Sequence, residues 1–236
     1  MAIAIGDIHG CLHPLINLLG KLPPDEELVF LGDYVDRGPN SAQVVDYLLK
    51  LSNQRSCHFV KGNHEAMLDA ATRDESVIAS WLMNGGIATL RSYGTEAKDW
   101  LKAPERRSHF KNFWEFFDNL LPYHEDEHAI YVHAGIDVDI SQMENQDPSV
   151  LMWVRDAFIK RAAEWEGKQV IFGHTPTQGL SMDPGSIYRS ANIVGIDTGC
   201  VFGGFLTAYD TLTQKVYQVP QEFRTHSNSV GIASSL

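Results

Sequence analysis

Cysteine is scarce, with three in 236 residues. Cys11, Cys57 and Cys200 are odd in number and lack metal-ligand spacing, which excludes a disulfide framework and a structural thiolate zinc site. No run approaches the roughly 18 apolar residues that a membrane-spanning helix requires. Basic residues are few as well: 19 Lys and Arg stand against 30 Asp and Glu, a net charge of −11, with no basic cluster. Such a chain is poorly suited to a nucleic-acid backbone. Met1 leads directly into AIAI with neither a basic segment nor a long apolar one, so no leader is expected and cytoplasmic residence is the default. Internal repeats and low-complexity tracts are absent, and no feature encodes an oligomeric state.

What is present is a 44% hydrophobic composition, enough for a sizeable core, in a length that suits one domain with an insertion. The chain is organised around residues 28–41, LVFLGDYVDRGPNS. Four apolar residues followed by Gly32 and a Gly-Pro pair predict a buried strand that ends in a turn. Asp33, Asp36 and Arg37 therefore fall at a strand's carboxyl end, where α/β sheets bind ligands.

The same grammar recurs in AIAIGDIHG, CHFVKGNHE, AIYVHAG and VIFGHT, each a β-prone run ending in Gly with Asp, Asn or His. Together these turns would deliver Asp7, His9, Asp33, Asn63, His64, His133 and His174 to one edge. Carboxylate, amide and imidazole donors without thiolate suit Mn, Fe or Zn. The set exceeds what one ion needs and predicts two divalent ions bridged by a shared carboxylate and a hydroxide.

Residues 11–22 carry a helical apolar stripe stopped by Pro23 and Pro24, and Ser41 is placed to cap a helix reaching Leu51. With the strand at 57–60 this makes a βαβαβ unit and a parallel sheet. Some sixty residues then pass before the next strand, and helical spacing at 66–71, 77–83 and 110–121 predicts a helical insertion over about 66–126. Phe113, Trp114, Phe116 and Phe117 fit the core-facing side of an amphipathic helix there, rather than a stacking surface. Asp147 and Pro148 open a helix expected to run through 163. From Ile187 onward IYRS, NIVGIDT, GGFLTAYD and KVYQVP predict hairpins, either a second sheet or an antiparallel edge, followed by a polar tail at 227–236.

Asp7 and His9, two residues apart on extended backbone, project to the same side and can hold one ion. Asp33 is the bridging candidate, and Asn63, His133 and His174 complete the second set. His64 follows a ligand, so its ring diverges toward substrate and suits a general acid, with Asp36 orienting its other nitrogen. Arg37 offers a planar fork to phosphoryl oxygens. These parts are those of phosphate-ester cleavage: an in-line attack by a metal-bridging hydroxide, charge neutralisation and protonation of the leaving oxygen.

GDIHG, GDYVDRG, GNHE, HAG and GHT, in this order, resemble the signature of the PPP family of metallophosphoesterases, the serine/threonine protein phosphatases. WLMNGG, LMWVRD and IDTGCVFGG resemble the small bacterial and bacteriophage members. The resemblance runs from Gly6 to about Thr207. It implies a β-sandwich of two mixed sheets flanked by helices, the calcineurin-like metallophosphoesterase fold. It implies a manganese-loaded dinuclear site with Asp7, His9 and Asp33 on one ion and Asp33, Asn63, His133 and His174 on the other. It also implies His64 with Asp36 as the acid pair, and Arg37, Arg155 and Asn63 as phosphate contacts. The expected partners are phosphoserine and phosphothreonine proteins or peptides, with phosphotyrosine admissible, and neither nucleic acid nor membrane.

Two other readings remain. A symmetrical dinucleoside tetraphosphatase would use the same centre and related turns, although Asp36 and Glu65 look more like the protein phosphatases. A non-catalytic metal-binding scaffold would keep the ligands without turnover, and the intact acid pair argues against it. Cys11, two residues after His9, reads as a buried small hydrophobe. His13, His58, His109, His124, His128 and His226 match no motif and receive no function.

Overall fold

The computed structural model describes residues 2–180, 183 and 185–221. The chain begins with β1 (Ala2–Ile5), α1 (Leu12–Leu19), β2 (Glu27–Phe30), α2 (Ser41–Ser52) and β3 (Cys57–Phe59). β1, β2 and β3 pair in parallel, as the alternation of strand and helix requires. A helical segment follows: α3 (Asn63–Arg73), α4 (Ile78–Trp81), a π-turn over Leu82–Gly86, α5 (Ile87–Ser92), α6 (Ala97–Trp100) and α7 (Phe113–Phe117). The second half contains β4 (His124–Glu125), β5 (Ala129–Tyr131), α8 (Pro148–Trp153), α9 (Asp156–Ile159), β6 (Gln169–Phe172), β7 (Tyr188–Ser190), β8 (Ile193–Gly195), β9 (Phe205–Asp210) and β10 (Val216–Pro220). No helix among the described residues is long and apolar enough to cross a membrane.

Two five-stranded mixed sheets result, ordered β10-β9-β1-β2-β3 and β4-β5-β6-β8-β7. They pack face to face through Ala4, Val29 and Leu31 on one side and Ala129, Tyr131 and Ile171 on the other. Each fully buried Val, Leu or Ile in that layer contributes about 1.5–3 kcal/mol. The outer face of the first sheet is covered by α1 to α7, and that of the second by α8 and α9 with Trp165. The β-rich end divides between both expected destinations. β7 and β8 extend the second sheet, while β9 crosses back to pair antiparallel with β1 and carries β10 as the edge.

Three helix expectations change length. The first helix stops at Leu19, three residues before the end of its apolar stripe, where the Lys21 and Leu22 N–H groups donate to Leu18 O and Leu19 O and tighten the chain out of the α-helix. Residues 110–121 form one α-turn at Phe113–Phe117, entered through Asn112 in a left-handed conformation (φ 62°). Phe116 is buried against Tyr34 and Phe59, and Phe113 is buried with Trp114 and Phe117 packed beside it, so these aromatics are core. The helix expected over 147–163 breaks at Val154 and Arg155, where Arg155 takes φ −132° and ψ −104°. The break turns the Arg155 side chain toward the strand ends. The tail at 227–236 lies outside the described residues.

Candidate active site

The loops that follow β1, β2, β3, β5 and β6 meet at one edge of the sandwich. Five non-glycine residues there have left-handed backbones: His9 (φ 44°), Asp33 (φ 53°), Asp36 (φ 70°), Arg37 (φ 68°) and His174 (φ 61°). Backbone strain of about 1–3 kcal/mol at each such position persists only where surrounding contacts enforce it. The glycines beside them explain part of that enforcement. A Cβ on Gly62 would collide with the Asp33 carboxylate, and one on Gly173 with that of Asp7.

Asp33 occupies the middle. Its Oδ2 lies 3.3 Å from His9 Nε2, and its Oδ1 lies 3.3 Å from His133 Nε2. Two potential metal-holding groups, His9–Asp33–His64 and Asp33–His133–His174, share this residue. Asn63 Oδ1 joins the second group at 2.8 Å from His133 Nε2 and 3.0 Å from His174 Nδ1, and the two imidazole nitrogens are 3.1 Å apart. Asp7 is buried at the same edge, and its carboxylate accepts the His174 backbone N–H at 3.0 Å.

The hydrogen-bond chemistry fits divalent cations. His9 Nδ1–H donates to Val35 O at 2.9 Å and His133 Nδ1–H donates to Leu31 O at 2.8 Å, which leaves each Nε2 as a lone pair in the neutral ring. The His133 lone pair faces another acceptor, Asn63 Oδ1, and the His9 lone pair lies between the Asp33 carboxylate and the Arg37 guanidinium. His174 Nε2 is buried without any partner. A backbone carbonyl on the far ring nitrogen is the usual way a metal-binding histidine is oriented.

The ionisation tendencies agree. Burial pushes the Asp7 carboxyl well above its ordinary range, and the nearby charges of Asp197 and Asp33 push it further. Burial also opposes ionisation of Asp33, but His133, His64 and His9 outweigh it and hold that carboxyl well below its ordinary range. Burial and the adjacent His133 lower His174 to about 2. His133 and His174, both pushed toward the neutral form by burial, and the crowded carboxylates make an acceptor-rich nest that a cation would relieve.

His64 and Asp36 lie alongside. His64 Nδ1–H donates to Asp36 Oδ2 at 2.8 Å, and Nε2 points to Asp33 at 3.8 Å. The Arg37 guanidinium contacts His9 Nε2 and sits 5.3 Å over the exposed ring of Phe202. Arg155 Nη1 donates to His174 O at 2.9 Å and Thr175 Oγ1 at 3.3 Å. Every site residue named from the sequence thus comes to this edge, although Asp7 meets a backbone N–H and not the two groups.

Sequence reasoning missed Asp197, Trp81 and Thr89, and it named Glu65 without its role. Asp197, buried beside Asp7, accepts the Gly199 N–H at 3.0 Å. It follows β8 in the same strand-then-turn grammar, which was the available signal. Trp81 Nε1 donates to Asp36 Oδ2 at 3.0 Å and Thr89 Oγ1 to Asp36 Oδ1 at 2.6 Å, with no local pattern to announce either. Glu65 accepts backbone N–H groups of Asp33, Tyr34, Val35 and Gly62 at 2.8–3.2 Å. Glu65 therefore braces the Asp33 turn from beneath and faces no substrate.

The calcineurin-like phosphoesterase profile matches residues 2–204. The chain belongs to that family. Members of this family use a dinuclear divalent metal centre. The chain is 30% identical, over 92% of each sequence, to the asymmetrical bis(5'-nucleosyl)-tetraphosphatase PrpE of Anoxybacillus flavithermus. A solved structure provisionally described as a diadenosine tetraphosphatase superposes with a TM-score of 0.64, at 21% identity, covering 94% of this chain and 93% of the other. A protein serine/threonine phosphatase from Saccharomyces cerevisiae gives a TM-score of 0.54 at 16% identity, covering 96% and 81%.

Proposed function

We propose that this calcineurin-like phosphoesterase is a metal-dependent phosphoprotein phosphatase of the PPP type, hydrolysing phosphoserine and phosphothreonine monoesters, with phosphotyrosine admitted by an open site. The observation that carries the reading is the line Asp36–His64–Asp33, which sets a buried acid pair against the carboxylate shared by both metal-holding groups. Asp7, His9 and Asp33 would hold one divalent ion and Asp33, Asn63, His133 and His174 another, manganese in this proposal. When bound, such ions supply an activated water and neutralise phosphoryl charge.

The chain's own groups do the remainder. Arg37 and Arg155 flank the nest and would grip the phosphoryl oxygens, with the Asn63 amide beside them. Asp36 keeps the proton of His64 on Nδ1 in the neutral ring, so the imidazolium carries its second proton on Nε2, facing the centre. That proton passes to the departing serine or threonine oxygen. Trp81 and Thr89 hold Asp36, and Asp36 holds the ring.

A second reading, dinucleoside tetraphosphate hydrolysis, is favoured by the names of the curated relatives. Glu65 no longer weighs against it, since that side chain serves the Asp33 turn. Comparing kcat/KM for phosphoserine, phosphothreonine and phosphotyrosine peptides with that for diadenosine tetraphosphate, with Mn2+ present, decides between them. The proposal expects the peptides to lead by at least tenfold. A preference for the dinucleotide, whether cut into two ADP or into ATP and AMP, would overturn it.

A further inference from the structure

At the opposite end of β2 from Asp33, a second cluster of ligand-type side chains closes the layer between the sheets. Glu27, Val29 and Leu31 alternate along one strand face, and Val29 and Leu31 belong to the inter-sheet core. His58 is the register partner of Val29 on β3, and His124 is the register partner of Tyr131 on β4, in the other sheet. Glu27, His58 and His124 thus form the polar rim of that core, drawn from three strands and both sheets. His58 Nε2 is 2.7 Å from Glu27 Oε1. The His58 and His124 rings stack with centroids 3.8 Å apart, and one ligand atom from each of the three residues lies within 4.8 Å of the others.

We infer that Glu27, His58 and His124 form a second, non-catalytic site for a borderline divalent transition ion such as Zn2+, bridging the two sheets. Two imidazoles and a carboxylate are the donor set of zinc sites that leave one position to water. Tetrahedral zinc sets ligand atoms about 3.3 Å apart, within reach of side chains that are 30% exposed for Glu27 and His58. Two of the three donors, Glu27 and His124, lean toward the forms that bind a cation. Burial works against the Glu27 carboxylate, but hydrogen bonds from His58 and Ser56 outweigh it and keep its pKa below the ordinary value. Burial and the adjacent His58 push His124 down, leaving a neutral ring with a lone pair. Hard ions such as Mg2+ prefer oxygen shells and would find one carboxylate here.

A bridging ion ties strand β3 of one sheet to strand β4 of the other, so its binding stabilises the folded chain by mass action. The test uses the full chain with Mn2+ in excess, wild type beside His124→Gln and Glu27→Gln. Zinc retained after gel filtration is counted by mass spectrometry, and melting is followed with and without Zn2+. One extra zinc per wild-type chain, and a melting gain of about 5–10 °C at a hundredfold saturation, are expected. Both should vanish in each variant and with Mg2+, while Mn2+-supported hydrolysis of p-nitrophenyl phosphate stays within twofold. Should His124→Gln fail to fold, the half-exposed Glu27→Gln carries the comparison. Equal zinc content and equal melting gains in wild type and variants would overturn the site, as would a wild type that retains no additional zinc.

Discussion

Trp81 and Asp36 are joined by an indole N–H that donates to both carboxylate oxygens, at 3.0 and 3.2 Å, in a fully buried setting. The helical segment after β3 therefore reaches back to hold the residue that orients His64. Gly85 in the adjoining π-turn accepts the Arg37 N–H at 3.2 Å, so the same segment also supports a phosphate contact of the proposed mechanism.

His64→Asn should slow turnover by about 10²–10⁴-fold, the usual contribution of a positioned acid, while leaving the bound metal unchanged. Single-turnover kinetics with metal analysis checks this. An unaltered rate removes His64 from the chemistry.

Trp81→Phe keeps most of the ring volume and deletes the donor to Asp36. A hydrogen bond to a charged group is worth about 1.5–3 kcal/mol. Urea melts should show a loss of that size, and kcat should fall further than KM changes because the His64 ring loses its brace. A variant with normal stability and normal kcat would leave Trp81 as packing alone.

Arg155→Lys retains charge but not the planar guanidinium, whose Nη1 donates to His174 O and Thr175 Oγ1 and whose other N–H groups remain to meet phosphoryl oxygens. The expected result is a fall in kcat/KM of about 10–100-fold, the size of one or two charge-assisted hydrogen bonds. Circular dichroism should be unaffected. A lysine variant as active as wild type would place Arg155 outside substrate binding.

Asp210 gives a pH dependence that is independent of metal. Burial opposes its ionisation, but the Thr213 hydroxyl, donating at 2.6 Å, and the Thr213 and Leu212 N–H groups together outweigh it and lower its pKa below the ordinary value. A carboxyl lowered in the folded state adds stability above its unfolded pKa and loses it as pH falls through the folded value. Asp210→Ala should therefore melt below wild type at pH 7, and the gap should narrow as the pH drops below about 4. A constant gap from pH 7 to pH 3 would contradict the assignment.

Local sequence alone determined that five β-prone runs end in turns bearing Asp, Asn or His, because strand periodicity and Gly-led turns are written within a few neighbouring residues. It determined the parallel β1-β2-β3 unit for the same reason, since helix and strand patterns alternate there without interruption. Only the tertiary structure decided that Asp33 is common to both ligand groups, that Trp81 and Thr89 secure Asp36, and that Asp197 stands beside Asp7. These contacts join residues tens to nearly two hundred positions apart, and nothing in a local window specifies such distances. The break that aims Arg155 and the parting of the last four strands between two sheets belong to the same class. Each depends on which surfaces remain to be covered once the rest of the chain has packed.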